Sequence, residues 1–250
     1  MSITNRRPMK GKHKSYFLII TVILILINVF FILRSGRWGG HKKDFDRIDT
    51  VTAGKSKLII ISSDAKLSKE TVKKLAQTFV QVYPALTLRF NPSSSRKIIL
   101  LLDTVYKGIA GTKGDIVRIN SKWLIRHPQE TDVLTHELMH VVQNFPIDVK
   151  LTWIKEGMAD YVRYKIGLNN INAKWKLPPL TQEHNYVNSY RVAAKFFVWL
   201  EQRYGGLLID HLNSTLFQQG YSAAFWSLET GRTLDQLWSD YMFREFRKNQ

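Results

Sequence analysis

The chain has 250 residues, 44% of them hydrophobic, no cysteine, and 37 Lys+Arg against 20 Asp+Glu, a formal net charge of +17. That apolar fraction excludes a disordered basic tail, and the length suits one globular domain with an appendage. Without cysteine there is no disulfide framework, thiolate zinc site or cysteine nucleophile, so any metal must be held by His and carboxylates.

Residues 1–15 form a basic N-terminus, with Arg6, Arg7, Lys10, Lys12 and Lys14 and no acid. Residues 16–33 read YFLIITVILILINVFFIL, uncharged throughout. As a helix this run spans roughly 27 Å, close to the hydrocarbon thickness of a bilayer. It ends in FILRSGRWGG, which lacks the small-residue cleavage pattern of a secretion signal. The reading is an uncleaved transmembrane signal anchor. The basic N-terminus predicts a cytoplasmic end, so the rest of the chain is expected outside the cell membrane. Residues 34–55 read as a polar linker with Gly36, Gly39, Gly40 and Gly54, and residues 56–250 as the folded domain. The two basic stretches around the anchor supply about half the excess charge. No Arg/Lys run interleaved with aromatics points to nucleic acid, and the basic surface reads as a solvated face.

Within the domain, β-branched and aliphatic runs predict strands at 58–62, 86–90, 98–103 and 116–120. Between the first two, 68–83 reads as an amphipathic helix capped by Ser68. From Pro128 onward the period is helical, over roughly 129–144, 152–166, 187–204, 207–217 and 233–248. Strands followed by helices make an α+β fold. Trp153, Phe196, Phe197, Trp199 and Trp238 all fall on these helices and read as core.

The chemistry concentrates in TDVLTHELMHVVQNF. Residues four apart on a helix differ by about 40° and one turn, so His136 and His140 can reach one ion. Glu137 lies beside them, placed to accept a proton from water rather than to ligate. Leu134, Leu138, Val141 and Phe145 share the opposite face. A zinc site of this type takes a third protein ligand and keeps the fourth position for water. Gln143 and Pro146 stand where a metzincin has Gly and His, which excludes that class. Glu156, sixteen positions past His140 on the next helix, is the candidate third ligand. Asp160, one turn further, suits the outer N–H of a ligand histidine. The alternative is that Glu156 and Asp160 only cap and solvate their helix. His127 and His184 sit in loop-like contexts and read as non-ligating.

Four segments in this order, LTHELMHVVQ, WIKEGMADYVR, SYRVAAKFFVWLEQRYG and LETGRTLDQLWSDY, resemble the basic secretory protein family of plant and microbial zinc peptidases related to the gluzincins. The resemblance spans roughly residues 57–245. It implies a zincin-like domain, one Zn²⁺ ligated by His136, His140 and Glu156, and Glu137 as general base. Lys155 departs from the family's apolar preference, and the anchor replaces a cleaved secretion signal. Tyr190 resembles an aromatic that recurs in the family. It reads either as a hydrogen-bond donor to the oxyanion or as a core tyrosine with its hydroxyl at the surface. The expected substrate is an extended peptide or protein segment, laid as an added strand against 115–120. Two rival readings stay open: a non-catalytic surface-binding module on the same fold, and a zinc amidase acting on cell-wall material.

Overall fold

The computed structural model describes residues 47–145, 151–218 and 220–247. The basic N-terminus and the expected anchor at 16–33 lie outside them. Among the described residues no helix is long and apolar enough to cross a membrane.

The fold is mixed α+β. Five strands form one sheet in the order β1-β2-β3-β5-β4: β1 Arg47–Ala53, β2 Ser56–Ser62, β3 Lys97–Asp103, β4 Ala110–Lys113 and β5 Ile116–Asn120. The central strands β2, β3 and β5 run parallel, and β1 and β4 close the two edges antiparallel. Parallel strands covered on both faces read as continuous apolar runs. Accordingly IILLL of β3 is buried along its whole length. Both edge strands return through hairpins that open on glycine, Gly54 at φ 58° and Gly114 at φ 60°, a region that side chains with a Cβ avoid.

Eight helices are seen among the described residues: α1 Lys69–Phe90, α2 Ser121–Arg126, α3 Val133–Gln143, α4 Thr152–Ile166, α5 Tyr190–Tyr204, α6 Leu207–Phe217, α7 Ala224–Thr230 and α8 Leu234–Arg247. The strand expected at 86–90 is instead the last turn of α1. Phe79, Val82, Tyr83, Leu86 and Phe90 recur at helical spacing and are all buried, so one apolar stripe continues through Pro84. Pro84 itself faces solvent, where the carbonyl it frees can be hydrated. Ser68 caps α1, its Oγ accepting from the Thr71 backbone N–H at 3.1 Å. The expected linker also needs correction, since its end forms β1. A cut at residue 56 would strip an edge strand from the sheet.

Helices α3, α4 and α5 pack side by side. The α3 helix is buried almost throughout, with Leu134, Leu138 and Met139 wholly inaccessible. Its start is pinned by buried Asp132, whose carboxylate accepts from Thr135 Oγ1 at 2.9 Å and from the Leu168 N–H at 3.0 Å. Its end is held by Asn91, which donates from Nδ2 to the Val142 carbonyl at 3.0 Å. The α4–α5 approach depends on Gly157. A Cβ there would lie 2.6 Å from Ala193 Cβ and 2.8 Å from the Phe197 ring, closer than atoms can sit. Behind α5, Trp153, Phe196, Phe197, Trp199 and Trp238 are buried, the core role expected of them.

Candidate metal centre

Two helices bring three ligand-type side chains to one point. Nε2 of His136 and Nε2 of His140, one turn apart on α3, lie 3.0 Å from each other. Oε2 of Glu156, from α4, lies 3.1 Å from the first and 3.2 Å from the second. These three are the group among the described residues able to hold a metal ion. His127 and His184 are not part of it; Nδ1 of His184 accepts from the Thr181 N–H at 3.1 Å.

The outer nitrogens decide which way the rings are protonated. Nδ1 of His136 faces Asp160 Oδ1 at 2.7 Å, and Nδ1 of His140 faces Gln143 Oε1 at 2.9 Å. The Gln143 amide is oriented by its other end, where Nε2 donates to the Lys155 carbonyl at 3.3 Å. Both partners of the histidines are acceptors, so each ring carries its hydrogen on Nδ1. The Nε2 lone pairs then converge on each other and on a carboxylate oxygen. Three acceptors 3.0–3.2 Å apart repel unless a proton or a metal cation sits between them. Tetrahedral zinc with ligands at 2.0–2.1 Å sets its donors about 3.3 Å apart, so the donor set fits that ion.

The electrostatics agree. Burial pulls His136 down, but its hydrogen bonds to Asp160 and Glu156 and the charges of Asp160 and Glu137 outweigh it and push its pKa up to about 10, so without an ion a proton on His136 supplies the positive charge that the site demands. Burial raises Glu156, but its contacts with His136 and His140 outweigh that and hold its carboxyl well below the usual range. The pocket carries a negative potential that favours a cation at its centre.

Glu137 is buried, at 4% exposure. Its Oε2 accepts from Thr112 Oγ1 on β4 at 2.6 Å. Tyr190 opens α5, with its ring stacked over that of His136 at a centroid distance of 6.2 Å. It is 54% exposed, which rules out the core-tyrosine reading. Burial, followed by the charges of Glu156, Asp160 and Glu137, raises its pKa, so the hydroxyl keeps its proton. The backbone there is strained: Ser189 sits at φ 66° and Tyr190 at φ 44°. Consecutive non-glycine residues at positive φ are uncommon and gather at functional sites.

Residues 46–241 match the family described as peptidase of plants and bacteria (BSP). The chain belongs to this family. A comparison with curated proteins finds no match. Among solved structures, a mutant of a two-domain M1 zinc metallopeptidase bound to L-tryptophan is 16% identical, over 78% of this chain and 50% of that one, with a TM-score of 0.47. The same kind of protein bound to L-arginine is 14% identical over the same shares, with a TM-score of 0.48. An M1 zinc metallopeptidase from Deinococcus radiodurans is 14% identical, again over 78% and 50%, with a TM-score of 0.44. The chain spans about half the length of these structures.

In this BSP-family chain the structure brings His136, His140 and Glu156 to one point, with Asp160 and Tyr190 against His136 and Glu137 next to it on α3. It does not place 115–120 at a sheet edge. β5 is interior, paired with β3 and β4, and the outer strand is β4. Two contributors escaped the sequence reading. Gln143 served there only to exclude a class, although its position one turn from His140 was a signal. Thr112 sits in AGTK, a four-residue strand without a large apolar residue, and carried none.

Proposed function

We propose that this chain is a zinc-dependent metallopeptidase, anchored in the cell membrane by residues 16–33 with its peptidase domain extracytoplasmic. The observation that carries the catalytic part is the convergence of two Nε2 atoms and one carboxylate oxygen, with both outer nitrogens fixed by acceptors. His136, His140 and Glu156 would hold one Zn²⁺. Such an ion lowers the pKa of a water and polarises a carbonyl when bound. Asp160 and Gln143 fix the ring tautomers and orientations of the two histidines.

The remaining steps belong to the protein. Glu137 takes a proton from the attacking water and returns it to the leaving amine. The Tyr190 hydroxyl donates to the oxyanion that forms on the attacked carbonyl. The substrate is an extended peptide paired to the outer edge of β4, where backbone groups recognise any extended chain regardless of side chain. Nothing in this proposal involves nucleic acid.

The test uses the full chain purified in detergent. One zinc per chain and cleavage of a generic protein substrate, lost with a chelator and restored by Zn²⁺, are expected. A chain that binds no zinc is a binding module. One that binds zinc and cleaves muropeptides but no protein is an amidase. For the anchor, protease added to intact cells should digest residues 47–250. Protection until lysis reverses the proposed orientation.

A further inference from the structure

Thr112 is in an unusual position, because its backbone and its side chain face different parts of the site. The Asn120 N–H donates to the Ile109 carbonyl at 2.9 Å, which marks 109/120 as a hydrogen-bonded pair of the antiparallel β4–β5 ladder. Such ladders alternate, so Gly111/Arg118 and Lys113/Ile116 are hydrogen-bonded pairs, and Ala110/Ile119 and Thr112/Val117 are not. The N–H and C=O of Thr112 therefore point away from β5, toward the outer edge of the sheet. Its hydroxyl meanwhile reaches the α3 helix.

That hydroxyl has one proton and two acceptors in range, Glu137 Oε2 at 2.6 Å and the Glu137 carbonyl at 3.2 Å. The shorter contact goes to the charged group, and hydrogen bonds to carboxylates are the stronger kind. Threonine suits the task because its branched Cβ restricts χ1, so the donor is held in one direction. With Oε2 accepting from Thr112, Oε1 is the oxygen left to accept a proton from elsewhere.

We propose that Thr112 is a positioning residue for Glu137: one strand residue aims the general base through its hydroxyl and offers its backbone to the extended substrate. This rests on the reading of Glu137 as the base. A purely structural role, satisfying a buried carboxylate, would show as lost stability or lost zinc. A positioning role shows in turnover with both retained.

The experiment compares Thr112→Val, Thr112→Ala, Thr112→Ser and Glu137→Gln in the full zinc-loaded chain. Thr112→Val should keep one zinc per chain and leave KM within about twofold, since the backbone edge is intact. Its kcat should fall roughly 10–100-fold, as for loss of a hydrogen bond to a charged group. Thr112→Ser should recover kcat to within about threefold of the parent. Thr112→Ala gives the same reading should the valine variant fold poorly. In the Glu137→Gln background, Thr112→Val should change kcat little, because the two act as a unit. Parental kcat in both hydroxyl-free variants beside a crippled Glu137→Gln overturns the positioning role alone. A Glu137→Gln chain with parental kcat overturns the underlying base assignment instead.

Discussion

The metal-ligand helices and the corner that carries Tyr190 border the same site and are built in opposite ways. On α3 and α4 every candidate ligand sits within a regular helix, and the outer nitrogen of each histidine is committed to a neighbour. At the corner, Tyr190 is half exposed, and it follows Ser189 at φ 66°, ψ −168°, a region nearly reserved for glycine. The Ser189 hydroxyl is buried without a hydrogen-bond partner. The contrast suits the tasks proposed for them. An ion is held best by rigid, desolvated donors, whereas a group that meets a forming oxyanion must face the substrate. Orientation at the corner comes from packing that overrides local backbone preference.

Breaking the rigid side should have the largest consequences. Glu137→Gln keeps size and removes the basic oxygen, so zinc content and fold should persist while peptidase rate falls roughly 10²–10⁴-fold. Near-parental turnover with zinc bound would refute the mechanism. Glu156→Gln replaces an anionic ligand with a neutral one. Zinc affinity, measured by competition with a chromophoric chelator, should fall by at least about 10–100-fold, the range seen for outer partners alone. Unchanged affinity moves the third ligand elsewhere.

The junction of the two regions is Gly157, beside Glu156 and against α5. Gly157→Ala forces Ala193 or Phe197 to shift, and overpacking of this kind costs about 1–3 kcal/mol. Thermal unfolding should drop by several degrees, with kcat falling because α5 carries Tyr190. A parental Tm would mean that α4 and α5 separate freely. The smallest effect belongs to the corner. Ser189→Gly relieves the strained φ and removes the unpartnered hydroxyl, so Tm should rise by about 2–4 °C, the equivalent of roughly 1 kcal/mol. If packing fixes Tyr190 through that strain, kcat should fall as stability rises. Gain of both would show that the corner's conformation does not serve catalysis.

These differences track what was readable from the chain. Helix α4 was legible at its true bounds, and α3 nearly so, because a buried helix writes its period into the side chains. His136, Glu137, His140 and Glu156 were legible because their spacing is set within one helix and the helix after it. The 86–90 segment misled, since Leu86 and Phe90 fit an aliphatic strand as well as the end of a 22-residue helix. The choice was made by the core under α1, which is nonlocal.

The sequence by itself determined the class of fold, the two metal helices, and the residue types that meet a cation, because these follow from period and side-chain chemistry. Only the tertiary structure decided which strand lies at the sheet edge, that Thr112 reaches Glu137, which histidine Asp160 meets, and that Tyr190 stacks on His136. The physical reason lies in separation along the chain. Thr112 and Glu137 are 25 residues apart, with β5 and α2 between them, so no local pattern records their meeting. It arises when the sheet and the helices close on one core.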